Sequence, residues 1–298
     1  MTLLTVENLD LKFDTDEGRI TAVDNVSFEL NSGEVLGLVG ESGSGKSVTA
    51  KSLMQLNPSN AVYGPESEIH LDLQNNVVDV LSLKSSRDLE IVRGGAISMI
   101  FQEPMASFAP AITIGAQMVE QLLIHTSLSK KEAAELSVGM LDRVGISDAD
   151  KRFYQYAFEL SGGMRQRAMI AMALSTKPKV LIADEPTTAL DVTIQAQVLD
   201  LMKDLVSEFG MAILFITHDL SVIAQTADRV AVMYLGRILE TGTVRQVIQT
   251  PAHPYTQGLL NSLPKLDALD EPLTPVAGDI PSPLERPSGC VFHTRCPK

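Results

Sequence analysis

A short glycine-rich stretch, VGESGSGKSV, contains residue types that bind phosphate in proteins. It matches the pattern G-x-x-x-x-G-K-[ST] at four positions: Gly40, Gly45, Lys46 and Ser47. Glycines allow the backbone to approach an anion closely, so that successive N–H groups converge on phosphate oxygens. We expect Lys46 to bridge the β- and γ-phosphates of a nucleotide and Ser47 to offer its hydroxyl to Mg²⁺. The spacing therefore predicts a site for the phosphates of a nucleotide.

The segments on either side of this loop are those that such a site requires. The apolar run Val35–Val39 predicts a buried strand directly before the loop. Residues 48–56 (VTAKSLMQL) favour a helix that begins near Lys46, and the positive end of its dipole would face bound phosphate. A plain surface loop is the alternative, but the flanking strand and helix favour phosphate binding.

Two further apolar segments end in side chains that can do chemistry. KVLIADEP (residues 179–186) predicts a buried strand that ends in Asp184 and Glu185. An Asp in that place can hold Mg²⁺, directly or through water, and the adjacent Glu can orient or deprotonate an attacking water. MAILFITHD (residues 211–219) predicts a second such strand, followed by His218. Because ligands bind at the carboxyl ends of parallel strands, we expect His218 to contact the nucleotide, although a lone histidine is more often structural.

A second candidate anion site lies in LSGGMRQR, residues 160–167. Ser161 carries a hydroxyl, Gly162 and Gly163 expose backbone N–H groups, and a helix is predicted to follow. An ordinary helix N-cap is the alternative. One γ-phosphate does not need two separate binding loops from the same chain. This second loop is therefore expected to serve a nucleotide bound to another subunit.

The coarse pattern of elements predicts an α/β fold with a mostly parallel sheet. Strands are predicted over residues 3–13 and 26–30 with a polar turn at 14–19 between them, and short strands and turns over 66–101. Helices are predicted over residues 115–125, 129–145, 163–175 and 192–208. Ser129 and Glu132 have the spacing of a capping box. The helical stretch 112–175 interrupts the strand–helix alternation and is expected to form its own lobe.

Composition limits the partners of this protein. The chain has 298 residues and a formal net charge of −13, which argues against a broad nucleic-acid surface and against electrostatic docking to anionic lipid. It has no apolar run of membrane-spanning length and no predicted secretory signal, and its two cysteines fit a reducing cytosol. If the protein works at a membrane, we expect another protein to hold it there.

The order of these motifs resembles the ATP-binding subunit of an ABC transporter over essentially the whole chain. The order is the phosphate loop, Gln102 in IFQEP, LSGG, ADEP, TALD (Thr188 to Asp191) and then His218. The resemblance implies a P-loop NTPase fold of the ABC ATPase type. In that fold a RecA-like core with a mostly parallel sheet carries an antiparallel β subdomain and an inserted α-helical subdomain. The ATPase domain would span 1–245, with the helical subdomain at about 105–175.

A narrower resemblance is to the importer family for peptides, which also includes nickel and some oligosaccharide systems. It rests on GESGSGKS, MIFQEPMASFAP, ELSGGMRQR, DEPTTALDVTIQAQ, HPYTQGLL and GCVFHTRCP. Residues 246–298 would then be a C-terminal extension of the oligopeptide-transporter type. The resemblance implies ATP hydrolysis that powers peptide import, with oligosaccharide or nickel import as the alternative.

The family resemblance also implies a role for each matching residue. Phe13 would stack on adenine, Glu185 would act as catalytic base, and His218 would sense the γ-phosphate. Lys46 and Gln102 would complete the catalytic set, and Asp191 would lie in the loop that passes between two sites. The phosphates would be bound by Gly40, Glu41, Ser42, Gly43, Ser44, Gly45, Lys46, Ser47 and Val48. Mg²⁺ would be held by Ser47, Gln102 and Asp184. ATP in the opposite subunit would be closed over by Ser161, Gly162 and Gly163.

The implied partners are a second ATPase subunit, expected to be a paralogue in a heterodimer, two membrane permease subunits and a periplasmic or surface substrate-binding protein. The implied location is peripheral, on the cytoplasmic face of a bacterial inner membrane. A soluble ABC ATPase acting on DNA or ribosomes is disfavoured, because residues 47–161 contain neither sustained heptads nor a cysteine cluster. An export ATPase would lack the HPYTQGLL and GCVFHTRCP tail, and intact Glu185 and His218 argue against a non-catalytic module.

The chain departs from the family pattern in two places. Residues 107–110 are Ser-Phe-Ala-Pro where the family usually has a sequence like SLNP, and this difference is expected to bear on the choice of membrane partner. Cys290 and Cys296 resemble the start of a cysteine cluster that binds iron–sulfur. Two thiols cannot complete a Cys₄ site, so free thiols are the expectation for this chain.

Overall fold

The N-terminal part of the protein is an antiparallel sheet. The computed structural model describes residues 1–73, 76–187, 190–263 and 276–298. Strands β1 (Thr2–Thr15) and β2 (Gly18–Asn31) form a long hairpin. β1 also pairs with β4 (Ala61–Tyr63) and β5 (Glu68–Asp72), and β5 pairs with β6 (Val77–Asp79). The hairpin was expected, but the predicted turn at 14–19 is too long. Residues 18–25 are already strand, because they pair with β1.

A second sheet forms the centre of the protein. Among the described residues it has six strands in the order β11–β10–β3–β9–β8–β7. Neighbours from β10 to β7 are parallel, and β11 is antiparallel to β10. The bounds are β3 (Val35–Val39), β7 (Ile97–Ile100), β8 (Val180–Asp184), β9 (Ala212–Thr217), β10 (Arg229–Tyr234) and β11 (Arg237–Thr243). The prediction of a mostly parallel sheet is confirmed.

The parallel strands are apolar throughout because both faces of the sheet are covered. Val35 and Val39 belong to one hydrophobic cluster. That cluster also contains buried residues of the helices Ile114–His125, Lys130–Arg143, Gly162–Ser175 and Val192–Phe209. Leu36 and Leu38, which alternate with them, pack into a second cluster against the N-terminal sheet. The alternation explains why these strands have no polar face in the sequence.

The helices fill the remaining chain between the strands. They are α1 (Lys46–Ser52), α2 (Ser86–Val92), α3 (Pro104–Ser107), α4 (Ile114–His125), α5 (Lys130–Arg143), α6 (Ala149–Phe153), α7 (Gly162–Ser175), α8 (Val192–Phe209), α9 (Leu220–Thr226), α10 (Val244–Gln249) and α11 (Pro254–Asn261). Short 3₁₀ turns cover Val80–Ser82, Ala157–Glu159 and His293–Arg295. Helices α4 to α7 pack against one another, as expected for a helical lobe. No helix in the described residues is long and apolar enough to cross a membrane.

The sequence-based element predictions also differ from the structure further along the chain. Helices α9, α10 and α11 were not predicted. Helix α1 ends earlier than predicted. After Ser52 the N–H groups of Leu53, Met54 and Gln55 donate to carbonyls three residues back, and Gln55 then leaves the helical region at φ 50°. Helix α2 lies where only strands and turns were expected, and Ser85 caps it by accepting a hydrogen bond from the N–H of Asp88. Strands β10 and β11 were not predicted. Their turn places Leu235 and Gly236 at φ 42° and 78°, which is type I′ geometry without the usual Asn-Gly or Asp-Gly signal.

The predicted capping box at the start of α5 is present. Ser129 Oγ accepts from the N–H of Glu132 at 3.4 Å, and the N–H of Ser129 donates to the Glu132 carboxylate at 2.8 Å. We expect Ser129→Ala to lower the free energy of unfolding by about 1 kcal/mol, because an orphan helix N–H loses its acceptor. Urea unfolding measures this, with Ser127→Ala, an exposed serine before the helix, as control. Equal effects of the two variants would contradict the capping role.

Candidate nucleotide-binding site

The predicted phosphate loop lies between β3 and α1, in contact with two other parts of the chain. A Cβ at Gly40 would lie 2.1 Å from the carbonyl oxygen of Met233 in β10, and one at Gly45 would lie 2.6 Å from that of Ala22 in β2. The φ angles of Gly40 and Gly45, 156° and 103°, also belong to the region that favours glycine. Both positions therefore require glycine for two reasons, the backbone angle and the lack of space.

Some backbone N–H groups of this loop already donate a hydrogen bond within the protein, and others are available to a ligand. The N–H of Ser44 donates to the carbonyl of Glu41 at 3.2 Å, which closes the turn. The N–H of Thr49 donates to the carbonyl of Gly45 at 2.9 Å and so starts the hydrogen-bonding ladder of α1. The first turn of a helix has no acceptor of its own for its N–H groups. The N–H groups of Lys46, Ser47 and Val48 are therefore suited to bind an anion held in the loop.

Lys46 folds its side chain back over the loop. Its Nζ donates to the carbonyls of Gly40 and Glu41 at 2.8 and 2.9 Å, and to Ser44 Oγ at 3.3 Å. The residue is 7% exposed. Burial lowers the pKa of Lys46 below its usual range, while the negative charge of Glu185 opposes that shift. A desolvated ammonium held by carbonyls would gain most from a second partner with full negative charge, such as a phosphate.

Asp184 lies at the carboxyl end of β8, next to Ser47. The residue is 4% exposed, and this burial raises the pKa of Asp184 above its usual range. A hydrogen bond with the Ser47 side chain acts in the opposite direction. A carboxylate and a hydroxyl are oxygen ligands of the kind that Mg²⁺ prefers, and Mg²⁺ usually keeps several waters and phosphate oxygens besides one or two protein ligands. The pair therefore fits a Mg²⁺ ion. No group of three or more metal-ligating His, Cys, Asp or Glu exists among the residues that the structure describes.

Glu185 lies between two side chains from neighbouring strand ends. Its Oε2 accepts a hydrogen bond from Gln102 Nε2 at 3.1 Å, and its Oε1 lies 2.9 Å from Nδ1 of His218. The backbone of Glu185 has φ 48°, and its N–H donates to the carbonyl of Ile216 in β9 at 2.9 Å. Gln102 follows β7 and His218 follows β9, the two neighbours of β8. The parallel sheet thus assembles three distant residues at one edge, with the carboxylate held in a defined orientation.

These residues adjoin a cleft of about 290 Å³. Its apolar end is formed by the hairpin, where Phe13 is half-buried, and Gln102 and Glu185 lie at its polar end. The described residues that line it are Phe13, Ile20, Thr21, Ala22, Ser42, Gly43, Ser44, Gly45, Lys46, Ser47, Val48, Gln102, Glu185, Leu235, Gly236 and Pro283. An aromatic surface at one end and a phosphate loop beyond it suit a nucleoside phosphate.

The LSGG residues and Asp191 are not brought to this cleft. Ser161 is exposed and caps α7, since its Oγ accepts from the N–H of Met164 at 3.3 Å. Asp191 is exposed and caps α8, accepting from the N–H groups of Thr193 and Ile194 at 3.1 and 3.0 Å. Both side chains therefore have a local structural role, whatever else they contact. Thr188 and Ala189 of the TALD motif lie outside the described residues.

Sequence reasoning missed two residues that contact the phosphate loop from the C-terminal part of the chain. The hydroxyl of Tyr255 accepts a hydrogen bond from the N–H of Glu41 at 2.9 Å. Arg295 donates to both carboxylate oxygens of Glu41 at 2.7 and 3.1 Å. The signal was present, since HPYTQGLL and GCVFHTRCP contain these residues. Cys290 and Cys296, in the same segment, are both free thiols in the structure.

Two family models match the chain. The model described as "ABC transporter" matches residues 23–188, and that described as "Oligopeptide/dipeptide transporter, C-terminal region" matches residues 239–298. The oligopeptide transport ATP-binding protein AppD of Bacillus subtilis is 50% identical over 100% of this chain and 89% of its own length. The oligopeptide transport ATP-binding protein OppD of Escherichia coli is 50% identical over 99% of this chain and 86% of its own length.

The structure of this chain is also similar to that of a solved ATP-binding cassette. The dimeric ATP-binding cassette MJ0796, solved in a post-hydrolysis state with ADP and Pi, has a TM-score of 0.72 and 25% sequence identity to this chain. The match covers 82% of this chain and 99% of the cassette. The fold class predicted from the sequence is therefore confirmed.

The buried carboxylate of Asp184 is expected to lower the stability of the protein without nucleotide. Because burial raises its pKa, the folded state disfavours the charged form, and this cost is present at neutral pH and absent below the unfolded pKa of about 3.9. We expect Asp184→Asn to raise the urea midpoint at pH 7 and to lose that gain near pH 4. Asp200→Asn, at an exposed position on α8, is the control and should leave the midpoint unchanged. A lower midpoint for Asp184→Asn at pH 7 would contradict the reasoning.

Proposed function

The chain belongs to the ABC transporter family of ATP-binding proteins, and from this premise we propose that it is the ATP-hydrolysing subunit that powers peptide import through a membrane transporter. The observation that carries the chemistry is the carboxylate of Glu185, held by Gln102 and His218 at the end of the cleft that contains Lys46. Peptide import is supported by the match of residues 239–298 to the oligopeptide/dipeptide C-terminal model. It is also supported by whole-chain similarity to proteins named as oligopeptide transporters.

In the proposed complex ATP occupies the cleft along its length. Phe13 stacks on the adenine. The loop between β3 and α1 binds the phosphates through the N–H groups that it leaves available, among them those of Lys46, Ser47 and Val48. Lys46 exchanges its loop carbonyls for the β- and γ-phosphates. Ser47, Asp184 and Gln102 would hold Mg²⁺, which would supply positive charge to the phosphate oxygens. The polar end of the cleft then contains the γ-phosphate.

Hydrolysis in this site is a transfer of the γ-phosphoryl group to water. Glu185 accepts a proton from the attacking water while the water oxygen forms a bond to the γ-phosphorus. The bond from that phosphorus to the bridging oxygen breaks, which leaves ADP and inorganic phosphate. His218 donates to the γ-phosphate and Gln102 orients the water. The two hydrogen bonds that hold Glu185 before ATP arrives fix its carboxylate in place, which is the positioning that phosphoryl transfer depends on.

The remaining predicted residues are proposed to serve a second subunit. Ser161, Gly162 and Gly163 lie outside the cleft of their own chain, at the start of α7, where they would close over ATP bound by a partner. We propose that the partner is a paralogous ATPase, that Asp191 lies between the two sites, and that two permeases and a substrate-binding protein complete the transporter. The protein would then be peripheral on the cytoplasmic face of the membrane. Residues 1–245 would form the ATPase domain and 246–298 its extension.

Glu185→Gln tests the proposed base. We expect turnover of ATP by the assembled transporter to fall by about two orders of magnitude or more, because the water loses its proton acceptor. Binding of ATP should be retained, since glutamine keeps the size of the side chain and its oxygen can still accept from Gln102. Steady-state phosphate release measures turnover, and Glu208→Gln, an exposed carboxylate that pairs with Arg143, is the control. Near-normal turnover in Glu185→Gln would refute the role of the base.

Lys46→Ala tests the proposed phosphate site. We expect it to weaken ATP binding itself, because the loop loses its only proposed cation for the β- and γ-phosphates. Equilibrium binding of a fluorescent ATP analogue measures the affinity. An affinity equal to that of the wild type would count against the proposed phosphate site.

The cargo is tested by uptake in cells that lack this chain. We expect labelled di- and oligopeptides to accumulate poorly in these cells, and wild-type protein, but not Glu185→Gln, to restore the uptake. Short oligosaccharides and nickel are offered in parallel, because the importer family that the sequence resembles also includes such systems. A defect confined to sugars or nickel would overturn the peptide assignment and leave the proposed residue roles unchanged.

A further inference from the structure

The C-terminal segment reaches back across the molecule to the phosphate loop. Tyr255 in α11 and Arg295 near the end of the chain both contact Glu41, which is the residue after the first glycine of the motif. Glu41 in turn accepts a hydrogen bond from Lys46 through its carbonyl oxygen at 2.9 Å. One residue of the loop is therefore connected both to the C-terminal segment and to the cation of the site.

The guanidinium of Arg295 is buried and hydrogen-bonded to main-chain carbonyls, which fixes its orientation toward Glu41. Its side chain is 4% exposed, and it donates from Nε to the carbonyl of Ala277 at 3.0 Å and from Nη2 to that of Val276 at 3.2 Å. The guanidinium carbon lies 5.7 Å from the ring centroid of Tyr234. Bidentate pairing with a carboxylate in such a preorganised geometry is stronger than an exposed ion pair.

Tyr255 is held equally firmly. It is fully buried, and its ring centroid lies 4.8 Å from that of Tyr234 and 5.3 Å from that of Phe292. This aromatic cluster fixes the hydroxyl that accepts from the N–H of Glu41. Burial raises the pKa of Tyr255, so the hydroxyl stays neutral. The N–H of Glu41 is thus directed away from the phosphates, and the loop backbone is fixed at that point.

A carboxylate within a phosphate loop is an electrostatic problem for the loop. Glu41 lies close enough to Lys46 for its negative charge to act on that ammonium, and its own side chain is partly exposed. An uncompensated charge there would repel the phosphates that the loop is to bind. Arg295 cancels that charge from outside the loop, and Tyr255 fixes the backbone that carries it.

We propose that Arg295 and Tyr255 are positioning residues for nucleotide binding: Arg295 neutralises the carboxylate of Glu41, and Tyr255 anchors its backbone, so that the phosphate loop is complete only when the C-terminal segment is docked. The inference rests on the proposed function, since it assumes that ATP binds at this loop. It assigns to the C-terminal extension a part in ATP affinity rather than in the chemical step.

The test is the affinity for a fluorescent methylanthraniloyl derivative of ATP with Mg²⁺. We expect Arg295→Gln to raise the Kd about tenfold at low salt, with a smaller loss at about 1 M salt, where charge repulsion is screened. The double variant Glu41→Gln/Arg295→Gln should bind more tightly than Arg295→Gln alone, because the unpaired charge is gone. In the assembled transporter the KM for ATP should rise while kcat changes little.

Arg286→Gln is the matched control. Arg286 belongs to the same C-terminal segment and loses the same charge, but it pairs with Asp24 at 2.6 Å, and Asp24 keeps a second partner in Arg237. Its Kd should stay within about twofold of the wild type. An equal loss in Arg286→Gln, or no recovery in the double variant, would overturn the proposal in favour of a purely structural tail. A wild type that binds no ATP would instead refute the proposed function.

Tyr255→Phe tests the contact of the hydroxyl with Glu41. It keeps the buried ring and removes the acceptor of the Glu41 N–H, together with the interaction of the hydroxyl with the Glu41 side chain. Because no net charge is lost, we expect a Kd raised by roughly threefold or more that salt does not restore. Circular dichroism melting of each variant shows whether it is folded. If Arg295→Gln does not fold, Arg295→Lys replaces it. Because lysine keeps the positive charge beside Glu41, Arg295→Lys should bind the nucleotide more tightly at low salt than Tyr255→Phe does. Wild-type affinity in Tyr255→Phe and in the Arg295 variant that folds would refute the proposal.

Discussion

The requirement that a backbone approach an anion without a side chain in between determines much of this structure. Gly40 and Gly45 meet it, and each lies so close to a neighbouring carbonyl that a methyl group would not fit. Those carbonyls belong to Met233 in β10 and Ala22 in β2. The conformation of the loop is therefore restricted by two strands, β2, which precedes it in the sequence, and β10, which follows it far along the chain. Its conformation depends on the central sheet and on the N-terminal hairpin being packed together.

The same sheet brings charged groups together at one edge, and two of them, Lys46 and Asp184, are buried. The parallel order of β7, β8 and β9 places Gln102, Glu185 and His218 at one edge, with Asp184 directly before Glu185. Burial acts against the charged forms of both Lys46 and Asp184, which lowers one pKa and raises the other. An arrangement that disfavours its own charges in the absence of a ligand is one that a charged ligand stabilises. The cost in stability and the proposed affinity for nucleotide have the same origin.

Much of the site, and some of the fold around it, could be predicted from the sequence, because the signals are local. The phosphate loop, the acidic end of β8 and the capping box at Ser129 are each written within a few consecutive residues. Strands such as Val35–Val39 are apolar at every position, so they were identified without knowledge of their partners. Helix α2 and the hairpin of β10 and β11 were missed because their signals, a Ser85 cap and a Leu235–Gly236 turn, are weak or atypical. Local patterns carry little information about contacts between distant segments.

The contacts of Glu41 are of that second kind. Tyr255 is 214 positions from Glu41 in the sequence, and Arg295 is 254 positions from it. Nothing in the residue spacing of the loop or of the C-terminal segment indicates that the two are in contact. A buried arginine with both a carboxylate and two main-chain carbonyls as partners costs desolvation energy, which a tail that served only to cover the core could avoid with an apolar side chain. Its partner could likewise be a neutral residue, since the loop motif leaves that position open. That both charges are present, and that they meet beside Lys46, is the physical reason to treat the C-terminal segment as part of the proposed nucleotide site.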